Sequence, residues 1–171
     1  KLQGLPQVFE VSDKLEALRA DKIGDEFGVQ YLIKGSGNEY QRADELKATG
    51  AGFILPLNFP DAYDVENPFD AMNVELSKMK HWELAPYNPQ MLAKAGITIA
   101  LTAYGLKEMG QFAKNLRKAI KRGFTEEEAL KALTYTPANL LGVYNQTGSL
   151  EKGKLANFII TSKPVFDEKA D

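Results

Sequence analysis

The chain has 171 residues, a formal net charge of −2 and no cysteine. This length suits roughly one domain, and the balanced charge gives no footprint for nucleic acid or an anionic membrane surface. The absence of cysteine excludes disulfides and thiolate sites, and the single histidine excludes a histidine-rich metal site built from this chain alone. No apolar run approaches the ~20 residues that span a bilayer. We therefore expect a soluble protein, and the sequence leaves the compartment open (cytoplasmic, periplasmic or secreted).

The N-terminal part alternates short apolar runs with amphipathic segments. The predicted elements are strands at 7–11, 29–34 and 53–55, and helices at 14–27 and 39–48. Ser12 or Asp13 caps the first helix, and Gly28 ends it. Strands separated by helices at this regular spacing indicate a parallel sheet with helical crossovers.

A polar loop from Asn58 to Pro68 opens the second part, and loops of this length often carry function. The predicted elements after it are helices at 69–82, 89–95 and 109–122, a helix that begins after Thr125, a short helix that begins at Thr136 and is ended by Gly142, and strands at 97–101 and 155–161. We expect Leu76 and Met79 to face inward, and Asn88 to cap the helix that follows it. Thr125 begins a capping box, and Ala129, Leu130 and Leu133 form the predicted buried stripe of that helix.

The segment from Gly123 to Ser162 resembles the C-terminal end of the amidohydrolase superfamily, and within it the imidazolonepropionase-like members. The matching motifs are Gly123-Phe124-Thr125, Thr136-Pro137-Ala138, Leu141-Gly142 and the run from Gly148 to Phe158, in which Asn157 stands where the family usually has Asp. The likeness extends more loosely back to about Pro6. It implies the C-terminal half of a metal-dependent (β/α)8 barrel over residues 1–144, followed by strands and a tail of a small β domain over 145–171.

The resemblance also implies divalent-metal ligands, typically for zinc, at the ends of the barrel strands. Glu10 stands where the family has a strand-five histidine, the stretch Lys34 to Gly37 has no counterpart of the strand-six histidine, and Tyr104 stands in place of the strand-eight aspartate. A phenol with a pKa near ~10 is a poor base and a weak ligand at neutral pH. We therefore expect no metal ligand within this chain, so that a cofactor is implied only by the resemblance.

Several residues remain candidates for a site. Glu10 and Tyr104 are the catalytic candidates, as a general base and as a hydrogen-bond donor, although Glu10 could equally be a solvated carboxylate and Tyr104 a plug at the barrel mouth. The substrate-binding candidates are Ser36, Glu39, Tyr40, Asn58 and His81. A loop such as Gly35-Ser36-Gly37 before a helix could cradle an anion or could be a plain turn. Glu39 is also spaced to form an ordinary surface pair with Arg42.

Two functions follow from the resemblance and its departures. The first is part of a hydrolase that acts on a carbon–nitrogen bond of a small cyclic amide or dipeptide, with any metal held by residues outside this chain. The alternative is a non-catalytic binding or assembly module derived from such a barrel. Four strands cannot close the barrel, so we expect a homo-oligomer or contact with a missing N-terminal half. Whether the chain is an enzyme stays open at this point.

Overall fold

A computed structural model describes residues 4–170 of the chain. Within them, four parallel strands form one sheet whose spatial order follows the order of the chain. The strands are β1 (Gln7–Glu10), β2 (Tyr31–Lys34), β3 (Gly52–Pro56) and β4 (Ile99–Thr102). This confirms the predicted α/β fold with parallel strands and helical crossovers.

Helices connect the strands and follow the last one. They are α1 (Lys14–Phe27), α2 (Ala43–Ala48), α3 (Pro68–Met72), α4 (Leu76–Leu84), α5 (Asn88–Lys94), α6 (Gly110–Lys121), α7 (Glu126–Leu133) and α8 (Tyr135–Leu140), with 3-10 turns at Glu39–Arg42 and Ala85–Tyr87. Asp13, rather than Ser12, caps α1 by accepting hydrogen bonds from two backbone N–H groups. The predicted capping box of α7 is present, with Thr125 and Glu128 bonded reciprocally. Within residues 4–170 no helix is both long and apolar enough to cross a membrane.

One face of the sheet carries the core. Phe9, Ile33, Phe53 and Ile99 are register partners across the four strands, so their side chains point to the same face. All four belong to the apolar core or pack against it, together with buried residues of α1, α2, α5 and α6. Burial of these strand residues against helices fixes the register, because a slip by one residue would turn the apolar set to the other face.

The opposite face is more polar and less covered. It carries a second register row, which runs from Glu10 through Lys34 and Ile54 to Ala100. Val8, two residues before Glu10 on the same face, is 53% exposed. In a closed barrel this face is the interior. The functional candidates at the carboxyl ends of the strands therefore project from the face that this chain does not cover.

Three predicted helix contacts are wrong. Leu76 and Met79 are 62% and 41% exposed, because the predicted helix 69–82 breaks into α3 and α4, neither of which buries any residue. Leu130 is 49% exposed, and the buried face of α7 consists of Ala129 and Ala132 instead. Small side chains let this helix lie close to the sheet, so a large residue in the predicted stripe is displaced to the outside.

The predicted strand over 155–161 is also not formed. The segment makes no strand pairing with any part of residues 4–170, and Leu155, Phe158 and Ile160 are 58%, 59% and 85% exposed. A strand needs a neighbouring backbone to satisfy its N–H and C=O groups. The Leu155 N–H donates to the Gln146 carbonyl at 2.8 Å, but no described strand runs alongside the segment. The division into a barrel part at 1–144 and a small β domain at 145–171 stays a prediction.

Candidate functional site

Three strands bring a carboxylate, an ammonium group and a phenol together at the carboxyl edge of the sheet. Glu10 and Lys34 are the last residues of β1 and β2 and are register partners, while Tyr104 lies two residues beyond β4. The Nζ atom of Lys34 is 2.9 Å from Oε1 of Glu10 and 2.9 Å from the centroid of the Tyr104 ring. We call these three residues the edge cluster.

The edge cluster is a strong local electrostatic arrangement. The Lys34 side chain is 15% exposed, whereas that of Glu10 is 58% exposed. The pKa of Glu10 is lowered, mainly by the hydrogen bond that Lys34 donates to its carboxylate. Partial desolvation raises this pKa, whereas the charge of Lys34 and a hydrogen bond from Tyr104 lower it further. Glu10 is therefore a carboxylate at neutral pH. Chemically, the cluster offers a proton acceptor, a fixed positive charge and a hydroxyl group.

Two of the three cluster residues were candidates from the sequence, and Lys34 was missed. Lys34 ends a predicted strand, and in the structure it is the register partner of Glu10 on the adjacent strand. The carboxyl ends of neighbouring parallel strands meet at one edge of a sheet. Opposite charges at the ends of two consecutive predicted strands were the signal that could have found it. The ring of Tyr104 lies on the Lys34 ammonium, and its role as a hydrogen-bond donor or as a plug at the barrel mouth stays a prediction.

The loop after β2 is held by a buried carboxylate. Glu39 is fully buried, and it accepts hydrogen bonds from the backbone N–H of Ser36 at 2.6 Å and of Gly37 at 3.1 Å, and from Nδ2 of Asn88 at 2.7 Å. The predicted surface pair with Arg42 is wrong, since Arg42 pairs with Glu45. Buried and occupied in this way, Glu39 has no surface for a substrate, and its role is to fix the loop.

The same contacts correct two further predictions. The N–H groups of Ser36 and Gly37 already serve Glu39, so the Gly-Ser-Gly loop is closed by the protein's own carboxylate and does not cradle an outside anion. Ser36 Oγ also lies 3.1 Å from Oδ1 of Asn38. Asn88 does not cap α5. Its Oδ1 accepts a hydrogen bond from the Tyr40 N–H at 2.8 Å, while its Nδ2 donates to Glu39. The loop N–H groups and the Asn88 amide are therefore bound by other groups of the protein.

Tyr40 and His81 form a separate stacked pair. Their ring centroids are 6.1 Å apart with an interplanar angle of 7°, and the Tyr40 hydroxyl is 3.2 Å from Nδ1 of His81. Burial lowers the pKa of His81, against the opposing charge of Glu39. This pair packs beside the loop after β2, and its substrate-binding role stays a prediction.

We expect the pKa of His81 to lie below its unperturbed value of about 6.5 in the folded protein. Below pH ~6.5 the unfolded chain binds a proton at His81 more readily than the folded chain does. The contribution of His81 to the free energy of unfolding is therefore fully present above pH ~6.5 and is lost as the pH falls through the pKa of the folded protein. His81 is the only histidine, and its ring proton resonance reports the titration directly. A measured pKa at or above 6.5, or an unchanged acid sensitivity in His81→Phe, would contradict this expectation.

Asn58 lies at a second place, in the loop after β3. It lines a cavity of about 780 Å³ with aromatic and basic residues, among them Phe59, Trp82 and Lys118. It also lies against the loop after β4, since a Cβ added at Gly105 would come within 2.7 Å of its Nδ2. The structure thus places Asn58 next to the loop of Tyr104.

A divalent metal does not fit the edge cluster. Among residues 4–170, no three side chains of the His, Asp, Glu and Cys types are grouped so that they could hold a metal ion. Lys34 already places a positive charge against the one carboxylate of the cluster, and a second cation there would be repelled. The expectation that this chain contributes no metal ligand stays a prediction, since residues outside the chain could complete a site.

Comparisons with known proteins agree with this architecture. A model of the amidohydrolase family matches residues 87–171. An imidazolonepropionase from Flavobacterium johnsoniae is 34% identical over 177 residues, which is 96% of this chain and 43% of that protein. An imidazolonepropionase from Flavobacterium psychrophilum is 37% identical over 60% of this chain and 26% of its own length. The chain thus spans less than half of these curated relatives.

Solved structures show the same fold. An amidohydrolase from Thermotoga maritima superposes with a TM-score of 0.77 at 24% identity, over 98% of this chain and 40% of that one. A prolidase crystallised with N-methylphosphonate-L-proline superposes with a TM-score of 0.58 at 18% identity, over 87% of this chain and 36% of its own. In each, the four-strand sheet corresponds to a part of a larger chain.

Proposed function

We propose, because the chain belongs to the amidohydrolase superfamily, that it forms the C-terminal half of a barrel hydrolase that acts on a carbon–nitrogen bond of a small molecule. The family is generally metal-dependent. Any divalent ion, with zinc as the first candidate, would be held by residues outside this chain. A cyclic amide is the favoured substrate class, since the relatives at 34% and 37% identity are imidazolonepropionases.

The edge cluster is the observation that carries this proposal. Glu10 and Lys34 end β1 and β2, Tyr104 lies in the loop after β4, and the three side chains converge at the carboxyl edge of a parallel sheet. In barrel enzymes the substrate is bound at this edge, by side chains from the ends of several strands. The carboxylate of Glu10 is 58% exposed, so a water molecule can reach it, and a positioned carboxylate is a common general base.

The remaining half of the barrel is proposed to come from an N-terminal segment. The uncovered face of the sheet, with Val8 53% exposed, supports this, as does the 43% coverage of the first relative. A second copy of this chain is the other candidate for covering this face. Light scattering that finds a monomer would contradict the second copy. Failure of the isolated chain to bind an N-terminal half supplied as a separate chain would contradict the N-terminal segment.

The second candidate function is a non-catalytic binding or assembly module. It is favoured by the residue types at the three strand ends, where the resemblance implies His, His and Asp and the chain has Glu10, Lys34 and Tyr104. Such a module would keep the fold and the edge cluster and bind a small molecule without turning it over. An activity assay on the natural protein separates the two functions.

We expect the natural protein, at its full length, to hydrolyse a cyclic amide such as imidazolonepropionate, and Glu10→Gln to lower kcat/KM by about 100-fold, the lower range for loss of a general base. The matched control is Glu26→Gln, which neutralises an exposed carboxylate on α1 and leaves the rate unchanged. Absence of turnover on cyclic amides and dipeptides would remove the hydrolase proposal. Tight binding of the same compounds without turnover would then support the module.

A further inference from the structure

We propose that the ammonium group of Lys34 is the fixed cation of this site and binds the carbonyl oxygen of the substrate, a task that a metal ion performs in many hydrolases. This inference rests on the proposed hydrolase function and names the residue that stabilises the charge formed in the reaction.

The position of Lys34 suits such a role because the side chain is held rather than free. Its Cα belongs to the second strand of a four-strand sheet, and its side chain is 15% exposed. Glu10 bonds the ammonium at 2.9 Å from one side, and the ring of Tyr104 lies 2.9 Å from it on another. A donor fixed in advance stabilises a developing negative charge more than a mobile surface lysine does.

The ammonium still has bonding capacity in this arrangement. A lysine carries three N–H donors and no acceptor. Within the described chain, one contact goes to the Glu10 carboxylate and the cation faces the Tyr104 ring, and no further acceptor is recorded. A substrate oxygen at the open face can therefore be bound without breaking the ion pair with Glu10.

The arrangement is compatible with a balanced hydrolytic step. Glu10 accepts a proton from water while the water oxygen adds to the carbonyl carbon, and the carbonyl electron pair moves onto the oxygen that Lys34 holds. The carbonyl then re-forms as the carbon–nitrogen bond breaks, and the proton passes from Glu10 to the leaving nitrogen. One water is consumed, an acid and an amine result, and nothing is oxidised or reduced.

Replacement of Lys34 tests the inference in the natural full-length protein. Lys34→Met keeps an unbranched side chain that is one heavy atom shorter and removes the charge. We expect kcat/KM to fall about 100-fold, mainly through kcat, because the lost bond is strongest in the transition state. Lys34→Arg, which keeps a cation, should retain more activity than Lys34→Gln. Lys22→Met, at an exposed position of α1, is the matched control and should be without effect.

The split between kcat and KM provides the second readout, because a purely structural role of Lys34 would not confine the loss to kcat. If Lys34→Met keeps its rate within twofold, or loses it through KM alone, the hydrolase proposal stands and the role of Lys34 is wrong. If the wild-type protein hydrolyses nothing, the proposed function itself fails. Circular dichroism checks that each variant is folded. If Lys34→Met is unfolded, the kcat/KM of Lys34→Arg compared with that of Lys34→Gln tests the role of the cation.

Discussion

Glu39→Ala is expected to destabilise the protein by about 3 kcal/mol, because it leaves several buried or half-buried donors without an acceptor at once. The carboxylate is fully buried and binds the N–H groups of Ser36 and Gly37 as well as Nδ2 of Asn88. An alanine at this position satisfies none of these groups. Urea unfolding followed by fluorescence of the single tryptophan measures the loss.

Glu45→Ala is the matched control for this prediction. Glu45 lies six residues further on, in α2, and its carboxylate pairs with Arg42 at 2.7 Å while 46% exposed. An exposed pair of this kind contributes well under about 1 kcal/mol. Equal effects of the two substitutions would mean that burial of Glu39 is not what holds the loop after β2.

The elements that the sequence predicted correctly are those whose signals are local. The cap at Asp13, the left-handed Gly28 with a φ of 64° and the capping box at Thr125 each depend on residues within one helical turn. The alternation of apolar strands with helices likewise predicted the parallel sheet. Local hydrogen bonds and backbone conformation fixed these features before any tertiary contact was known.

The features that were missed depend on distant partners. Asn88 would be an adequate cap by its position, but Glu39 and the Tyr40 backbone, both more than 40 residues away, occupy its amide. The segment 155–161 has the apolar pattern of a strand and no neighbouring strand within residues 4–170. Leu130 is outside because the helix approaches the sheet through alanines. Periodicity identifies an apolar face and cannot say what covers it.

The candidate site divides in the same way. Glu10 and Tyr104 were predictable as site residues because the sequence pattern indicates where a strand ends and where the loop after a strand begins. Lys34 required the register between β1 and β2, which places it opposite Glu10. Glu39 was named for the wrong reason, since its charge suggested the surface and its burial depends on loop N–H groups that a sequence does not display.

Gly35→Ala is expected to cost about 3 kcal/mol, at the upper end of what overpacking costs. Gly35 is buried directly after Lys34, and a Cβ there would collide with the carboxylate of Glu39. A flexible side chain could move aside, but that carboxylate is held by Ser36, Gly37 and Asn88. Gly110→Ala is the control: nothing lies within 4 Å of the added carbon, and alanine at the start of α6 should be neutral or slightly stabilising.

The double variant Gly35→Ala/Glu39→Ala makes the expectation sharper. If the clash with Glu39 is the cause, shortening that side chain removes it, and the double variant should lose about 3 kcal/mol in total rather than the sum of the two single losses. Urea unfolding of the four proteins of this cycle measures the coupling. Strict additivity would show that Gly35 is required for a reason other than its close approach to the Glu39 carboxylate.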